Sequence, residues 1–247
     1  MTDRLNIRLD IAYEGTRYHG WQVQAGETTI QGILQDLLGE AYRQRIVLHG
    51  SGRTDAGAHA RRQVASFRAP GRLPVERLPL ILNTRLPADI RVLAARAVPA
   101  DFHARKSARG KIYQYQVFTG PVLSPFLAPY YHHRPYPLDD AAMRRAAAFL
   151  VGPRDFTSFC AHAAGEKDRV RTLRLCRLAR RGHRLHFRLE ANGFLHHMVR
   201  NIVGTLLEVG DGARPPESMP ALLDARDRRL AGPTAPARGL TLIRVIY

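Results

Sequence analysis

Lys111-Ile112-Tyr113-Gln114-Tyr115-Gln116-Val117-Phe118-Thr119 alternates with a period of two. Tyr113, Tyr115 and Val117 fall on one side and Ile112, Gln114, Gln116 and Phe118 on the other, the mark of a β-strand. Its position decides the fold, because a strand here restarts a pattern the chain has already run once. Near the N-terminus Ile7, Leu9, Ile11 and Tyr13 alternate with Arg8 and Asp10, and Glu14-Gly15 breaks the run. The segment from Ser107 to Gly110 separates the two patterns. The reading therefore divides the chain into an N-terminal half, 1–107, and a C-terminal half, 108–247.

In the first half a helix is expected where Ile30, Ile33, Leu34, Leu37, Leu38 and Ala41 share a face, with Thr28 or Thr29 able to cap it. Ile46-Val47-Leu48 reads as a short strand, Val64 to Phe67 as another, Val75 to Leu82 as a short helix and Ile90 to Val98 as a strand. In the second half a Pro-rich connection, Pro121 to Pro137, leads to a helix capped by Asp139 with Met143, Ala146, Ala147 and Leu150 on one face. Val170 to Ala179 and Leu185 to Ala191 pattern as a hairpin turning at Arg181-Gly182-His183. Leu195, Met198, Val199, Ile202, Val203, Leu206 and Leu207 make an amphipathic helix, and Leu240 to Tyr247 a final strand. The connections between strands are mostly too short for parallel crossovers. An α+β fold with mainly antiparallel sheets follows.

The chain has 247 residues, 45% hydrophobic and 24% charged, the balance of a folded protein. It contains no run of about 18 apolar residues, so no membrane helix is expected. Met1-Thr2-Asp3-Arg4 leads into a strand rather than a leader peptide. With Cys160 and Cys176 alone, neither a disulfide framework nor a four-cysteine zinc site can be built, and a cytoplasmic location is expected. The formal net charge is +17, and 35 of the 38 basic residues are arginine. Codon composition can trade lysine for arginine, but it does not create the excess of positive charge. Such a surplus calls for a polyanionic partner, and phosphate backbones are the commonest. Arg169 to Arg188 concentrates it, with eight arginines and no acid.

One loop stands out as chemistry. In Gly50-Ser51-Gly52-Arg53-Thr54-Asp55-Ala56-Gly57 a dinucleotide fingerprint would need glycine where Asp55 stands, and a P-loop would need Gly-Lys-Ser/Thr. What remains is a carboxylate in a glycine-tightened loop, Arg53 two residues before it and His59 four after. Asp55 is a candidate nucleophile or base kept ionised by a nearby arginine, or else an Asx-turn organiser of its own loop. Tyr113 and Tyr115, just after the basic run Arg105 to Lys111, read either as base-stacking platforms or as core tyrosines. His132-His133, His183 with His186, and His196-His197 lack ligand spacing, adjacent histidines being expected to point apart, so no metal is expected. Arg200 borders the apolar arc of its helix, as a snorkelling residue or one reaching a buried carboxylate.

Gly52-Arg53-Thr54-Asp55-Ala56-Gly57-Ala58-His59-Ala60 closely resembles the catalytic motif of the TruA-type pseudouridine synthase family. Tyr13-Glu14-Gly15 to Trp21-Gln22-Val23-Gln24 is similar to the family's opening motif. Phe102 to Arg105 through Lys111 to Tyr115, Asp155 to Phe159, Phe194 to Gly204, and Ala237 to Leu240 follow in the family's order, so the resemblance covers essentially the whole chain. Ala58, where the family more often has valine, and Arg17, in a variable slot, depart from the pattern without touching a group that does chemistry.

The resemblance implies two similar α/β halves flanking a basic cleft, working as a homodimer on tRNA without metal or cofactor. It implies isomerisation of uridine to pseudouridine at positions 38, 39 and 40 of the anticodon stem-loop. On the same basis Asp55 is the catalytic aspartate and Arg53 fills the space left by the extruded uridine. Tyr113 packs on the flipped base and is a candidate general base, Arg200 pairs with Asp55, and Leu240 lines the base pocket. Two rival readings stand beside it. One is a non-catalytic tRNA-binding protein or chaperone on the same fold, in which Asp55 is a turn former. The other is a carboxylate-nucleophile enzyme such as a phosphatase or glycosidase, which lacks here the paired carboxylate it would need.

Overall fold

A computed structural model describes residues 4–161 and 168–247 of the chain. Met1-Thr2-Asp3, read above against a leader peptide, and Lys167 lie outside the described residues. Two compact units form, one of residues 1–109 with 242–247, the other of residues 110–241. The terminal residues, which the periodicity grouped with 108–247, cluster with the first unit. Local alternation identifies a strand but not its neighbour.

In the first unit the chain runs through β1 (Arg4–Tyr13), α1 (Ile30–Tyr42), β2 (His49–Gly50), β3 (His59–Pro70), α2 (Leu78–Asn83) and β4 (Ile90–Val98). β1 lies between β4 and β3, antiparallel to both, and β2 adds a short antiparallel pairing to β3. Ile7, Leu9 and Ile11 of β1 and Ile30, Leu34 and Leu38 of α1 are fully buried, which is the amphipathic pattern of both elements realised. Thr29 caps α1 by accepting from the Gly32 N–H. Ile46-Val47-Leu48 is not a strand, contrary to its β-branched character. Two glutamines of α1 take the Leu48 backbone instead: its N–H donates to Gln35 Oε1 at 3.0 Å, and its carbonyl accepts from Gln31 Nε2 at 2.7 Å. The ladder begins only at His49. β1 also departs from the half-exposed strand its alternation suggested. Asp10 is buried, Arg8 donates to it at 2.7 Å, and the Arg8 guanidinium lies 4.6 Å from the Tyr247 ring centroid.

The second unit contains β5 (Gly110–Phe118), β6 (His132–His133), α3 (Asp140–Phe149), β7 (Gly152–Asp155), β8 (Val170–Arg181), β9 (Arg184–Ala191), α4 (Met198–Gly210) and α5 (Met219–Ala225). Its strands run in the order β5-β9-β8-β7, each neighbour antiparallel, with β6 parallel to β5. Arg181 pairs with Arg184, so the hairpin turn is the two residues Gly182-His183, with Gly182 at φ 58°. The Asp139 carboxylate accepts from the Ala141 and Ala142 N–H groups and caps α3 as expected. Tyr113, Tyr115 and Val117 pair across β9 with Leu189, Phe187 and Leu185, all buried. The last strand, β10 (Leu240–Ile246), neighbours β3 in the first unit. No helix among the described residues is long and apolar enough to cross a membrane.

Candidate active site

Asp55 is half-buried and Arg53 exposed in the loop between β2 and β3. The loop is fixed on both sides of Asp55. Before it, the Thr54 carbonyl accepts from the Trp21 N–H at 3.1 Å, and the Thr54 hydroxyl pairs with the Tyr13 hydroxyl at 2.8 Å inside the protein. After it, the Gly57 N–H donates to the Tyr18 carbonyl at 3.2 Å. The wholly buried Gln63 of β3 accepts the Ser51 hydroxyl at 2.6 Å and donates to the Gly52 carbonyl at 3.0 Å. Gly20 shows how closely the opening motif wraps this loop: a Cβ there would lie 2.5 Å from the Thr54 carbonyl oxygen. Burial pushes the Tyr13 phenol far above its ordinary value, so it stays a neutral hydrogen-bonding group.

His59, noted in the sequence for its spacing from Asp55, is buried, and its Nδ1 accepts from the Gly15 N–H at 3.0 Å. A Glu14 carboxylate oxygen lies 3.1 Å from the same nitrogen. His59 therefore braces Gly15. Tyr18 and Arg17 brace the other side of that turn, both donating to Asp89. Burial is the largest single influence on the Asp89 carboxyl and would raise it, but the hydrogen bonds from Tyr18, Arg17 and the backbone, with the Arg17 charge, together hold the group below the usual range.

The other expected site residues belong to the second unit. Tyr113 sits on β5, buried, with the Phe194 ring edge-on at 5.1 Å. Arg200 lies in the first turn of α4, where its Nε donates to the Ala235 carbonyl at 2.7 Å while its own carbonyl accepts from the Ala235 N–H. The guanidinium plane is thereby set by backbone. Tyr115 is resolved as a core residue: it is fully buried, its hydroxyl donates to the Pro236 carbonyl at 2.7 Å, and burial pushes its phenol far upward. The consecutive carbonyls of Ala235 and Pro236 thus receive Arg200 and Tyr115 and anchor the segment that ends at the buried Leu240. Gly239 fits only as glycine, since a Cβ there would meet the Tyr115 ring at 2.6 Å.

Sequence periodicity missed the polar residues that hold these groups. Asn201 is wholly buried beside Arg200. It donates to the Phe159 carbonyl at 2.8 Å and accepts from Arg228 and Thr234 at 3.0 and 2.7 Å. The sequence signal was a polar residue where the α4 stripe should be apolar; Gln63 gives the same signal in β3. Asp155-Phe156-Thr157-Ser158-Phe159 is likewise structural: Asp155 accepts from both the Thr157 N–H and hydroxyl, and Ser158 donates to the Leu222 carbonyl. The expectation that His196 and His197 point apart is corrected. His197 adopts φ 59°, left-handed for a non-glycine residue, and before α4 the two rings lie side by side, tilted by 34° with their centroids 3.8 Å apart.

The basic run divides by face. Arg180 turns toward α3, its guanidinium bidentate on Asp140 at 2.6 and 2.7 Å. Arg177 stands opposite Arg188 and Arg181 opposite Arg184, all four exposed on one face of the β8–β9 hairpin. Like charges placed directly across a ladder repel, so these pairs do not stabilise the hairpin.

The sequence profile of the family described as tRNA pseudouridine synthase matches residues 11–105 and 146–247. The chain is 49% identical to tRNA pseudouridine synthase A of Halalkalibacterium halodurans over 95% of this chain and 89% of the relative. It is 47% identical to the protein of the same name from Moorella thermoacetica over 98% of this chain and 99% of that one. Against the Solibacter usitatus protein of that name it is 46% identical, again over 98% and 99%. With the α+β architecture and the braced Asp55 loop both in place, this chain belongs to the tRNA pseudouridine synthase family.

Proposed function

We propose that this enzyme isomerises uridine to pseudouridine at positions 38, 39 and 40 of the tRNA anticodon stem-loop, with Asp55 as its catalytic residue. The observation that carries the reading is the Asp55 loop, braced on both sides of a half-buried aspartate, in a chain nearly half identical to proteins named tRNA pseudouridine synthase A. The reaction breaks the C1′–N1 bond, turns the uracil, and joins C1′ to C5. The C5 hydrogen leaves as a proton and N1 gains one, so the atoms balance without a donor or redox partner. Asp55 serves by attacking C1′, by adding to C6, or by taking the C2′ proton; each role requires it ionised.

A stacked uridine must first be extruded, at a cost of a few kcal/mol. Arg53, exposed two residues before Asp55, is the side chain that fills the gap. Tyr113 packs on the flipped base and takes the C5 proton directly or through water, with its ring braced by Phe194. Arg200, its plane fixed on Ala235, is the counter-charge that keeps Asp55 ionised against desolvation. Leu240 supplies an apolar wall to the base pocket. Arg177, Arg181, Arg184 and Arg188 hold the RNA backbone without reading sequence. Homodimeric assembly, a cytoplasmic location and independence of metal and cofactor rest on the family resemblance and on cysteine usage.

Position is tested with tRNA transcripts carrying a single uridine at 38, 39 or 40, the product located by carbodiimide adduct and primer-extension stop. Stops at those positions are expected. Stops confined to another arm of the tRNA would contradict the assignment.

A further inference from the structure

The turn from His103 to Ser107 in the first unit is held by more hydrogen bonds than a surface turn needs. The His103 N–H donates to Ser107 Oγ at 3.0 Å, and the Ser107 N–H returns to the His103 carbonyl at 2.9 Å. His103 Nδ1 accepts from the backbone N–H groups of Arg105 and Lys106, at 3.1 and 3.4 Å. Ala104 between them is fully buried, its N–H on the buried Ser66 hydroxyl and its carbonyl on the Tyr247 hydroxyl. What this frame presents outward is Arg105 and Lys106, both exposed, with the exposed His49 ring 4.8 Å from that of His103. Neither Arg105 nor Lys106 has a carboxylate partner among the described residues. Elsewhere in the unit Arg8 meets Asp10, Arg17 meets Asp89 and Arg85 meets Glu40.

We infer that this turn is a preformed phosphate clamp for the RNA backbone, and that His103 is a positioning residue which sets it by accepting two N–H groups on Nδ1. Rigid backbone carrying unmatched cations lowers the ordering cost of gripping a polyanion. The turn carries no acid of its own, so charge complementarity selects phosphate over a basic partner. Burial and the cations around it push the His103 imidazole down, which keeps Nδ1 free to accept. The inference rests on tRNA being the substrate, and it adds an anchoring point apart from the Asp55 loop.

The test pairs filter binding of a tRNA transcript over a salt series with turnover measured from sub-saturating to saturating tRNA. Arg105→Gln with Lys106→Gln should weaken binding, lower the slope of log affinity against log salt by about 1.5 to 2, raise KM and leave kcat unchanged. His103→Ala should weaken binding with both cations still present, and His103→Asn, whose amide oxygen can accept in place of Nδ1, should restore it. The Gln variants alter only exposed side chains, so their outcome does not depend on a fold-breaking change. Unchanged affinity and salt slope in the double variant would overturn the clamp. Wild-type affinity in His103→Ala would overturn the positioning role. Binding is scored apart from turnover, so a wild type that binds tRNA without isomerising it contradicts the reaction and not the clamp.

Discussion

Asp55 owes its placement to residues that do no chemistry. Tyr13, wholly inside the protein, ties its hydroxyl to Thr54, and Tyr13→Phe removes that partner while leaving the ring packing intact. A loss of about 1–3 kcal/mol is expected for a buried hydroxyl left unpaired, read as a lower denaturant midpoint, together with a lower kcat as the loop loosens. An unchanged midpoint and kcat would show that the brace is dispensable. At His132, burial with the Arg134 and Arg238 charges beside it pushes the imidazole down to about 4, from an ordinary value of 6.5. On acidification the unfolded chain takes this proton near 6.5 and the folded one only near 4. Stability contributed here is therefore lost as pH falls from 6.5 toward 4, and His132→Asn should flatten that part of the curve. Melting temperatures across that window check it. The candidates Asp55, Arg53, Tyr113, Arg200 and Leu240 were all named from the order of motifs in the sequence. Gln63 and Asn201 were not, because a buried polar residue is recognised by its partners, and those lie far away along the chain.

Among the elements, α4 carries the tightest constraint. A Cβ on Gly204 would stand 1.7 Å from the Pro233 carbonyl oxygen, so Gly204→Ala forces apart α4 and the segment that anchors Arg200 through Ala235. Overpacking of this kind costs about 1–3 kcal/mol, and at this chain length each kcal/mol lowers Tm by about 2–4 °C. Thermal denaturation of the variant measures it, and a wild-type Tm would mean the contact relaxes without strain. Helices and long strands were legible because the 3.6 and 2.0 periods survive burial. Two features were not. Ile46-Val47-Leu48 has strand composition, but glutamine side chains from α1 satisfy its backbone first. The start of α4 is set by the left-handed His197, a conformation no periodicity announces.

At the scale of the whole molecule, the net charge of +17 was legible at once and the division of the last strand was not, since pairing between distant segments leaves no local trace. The charge sets an expectation of its own. Replacing Arg177, Arg181, Arg184 and Arg188 with Gln should weaken tRNA binding and lower the salt slope by about 3 to 4. These four residues sit as repelling cross-strand pairs, so the fold itself should not be harmed. Binding isotherms over a salt series test this, and an unaltered slope would remove the hairpin from the RNA surface. The central claim is that the Asp55 carboxylate isomerises uridine in tRNA. Its most direct test uses tRNA transcribed with tritium at C5 of its uridines, because forming the C1′–C5 bond expels that hydrogen to water. Wild-type protein should release tritium, while Asp55→Ala should bind the same tRNA and release none. Binding without release by the wild type, or release undiminished in Asp55→Ala, would contradict it.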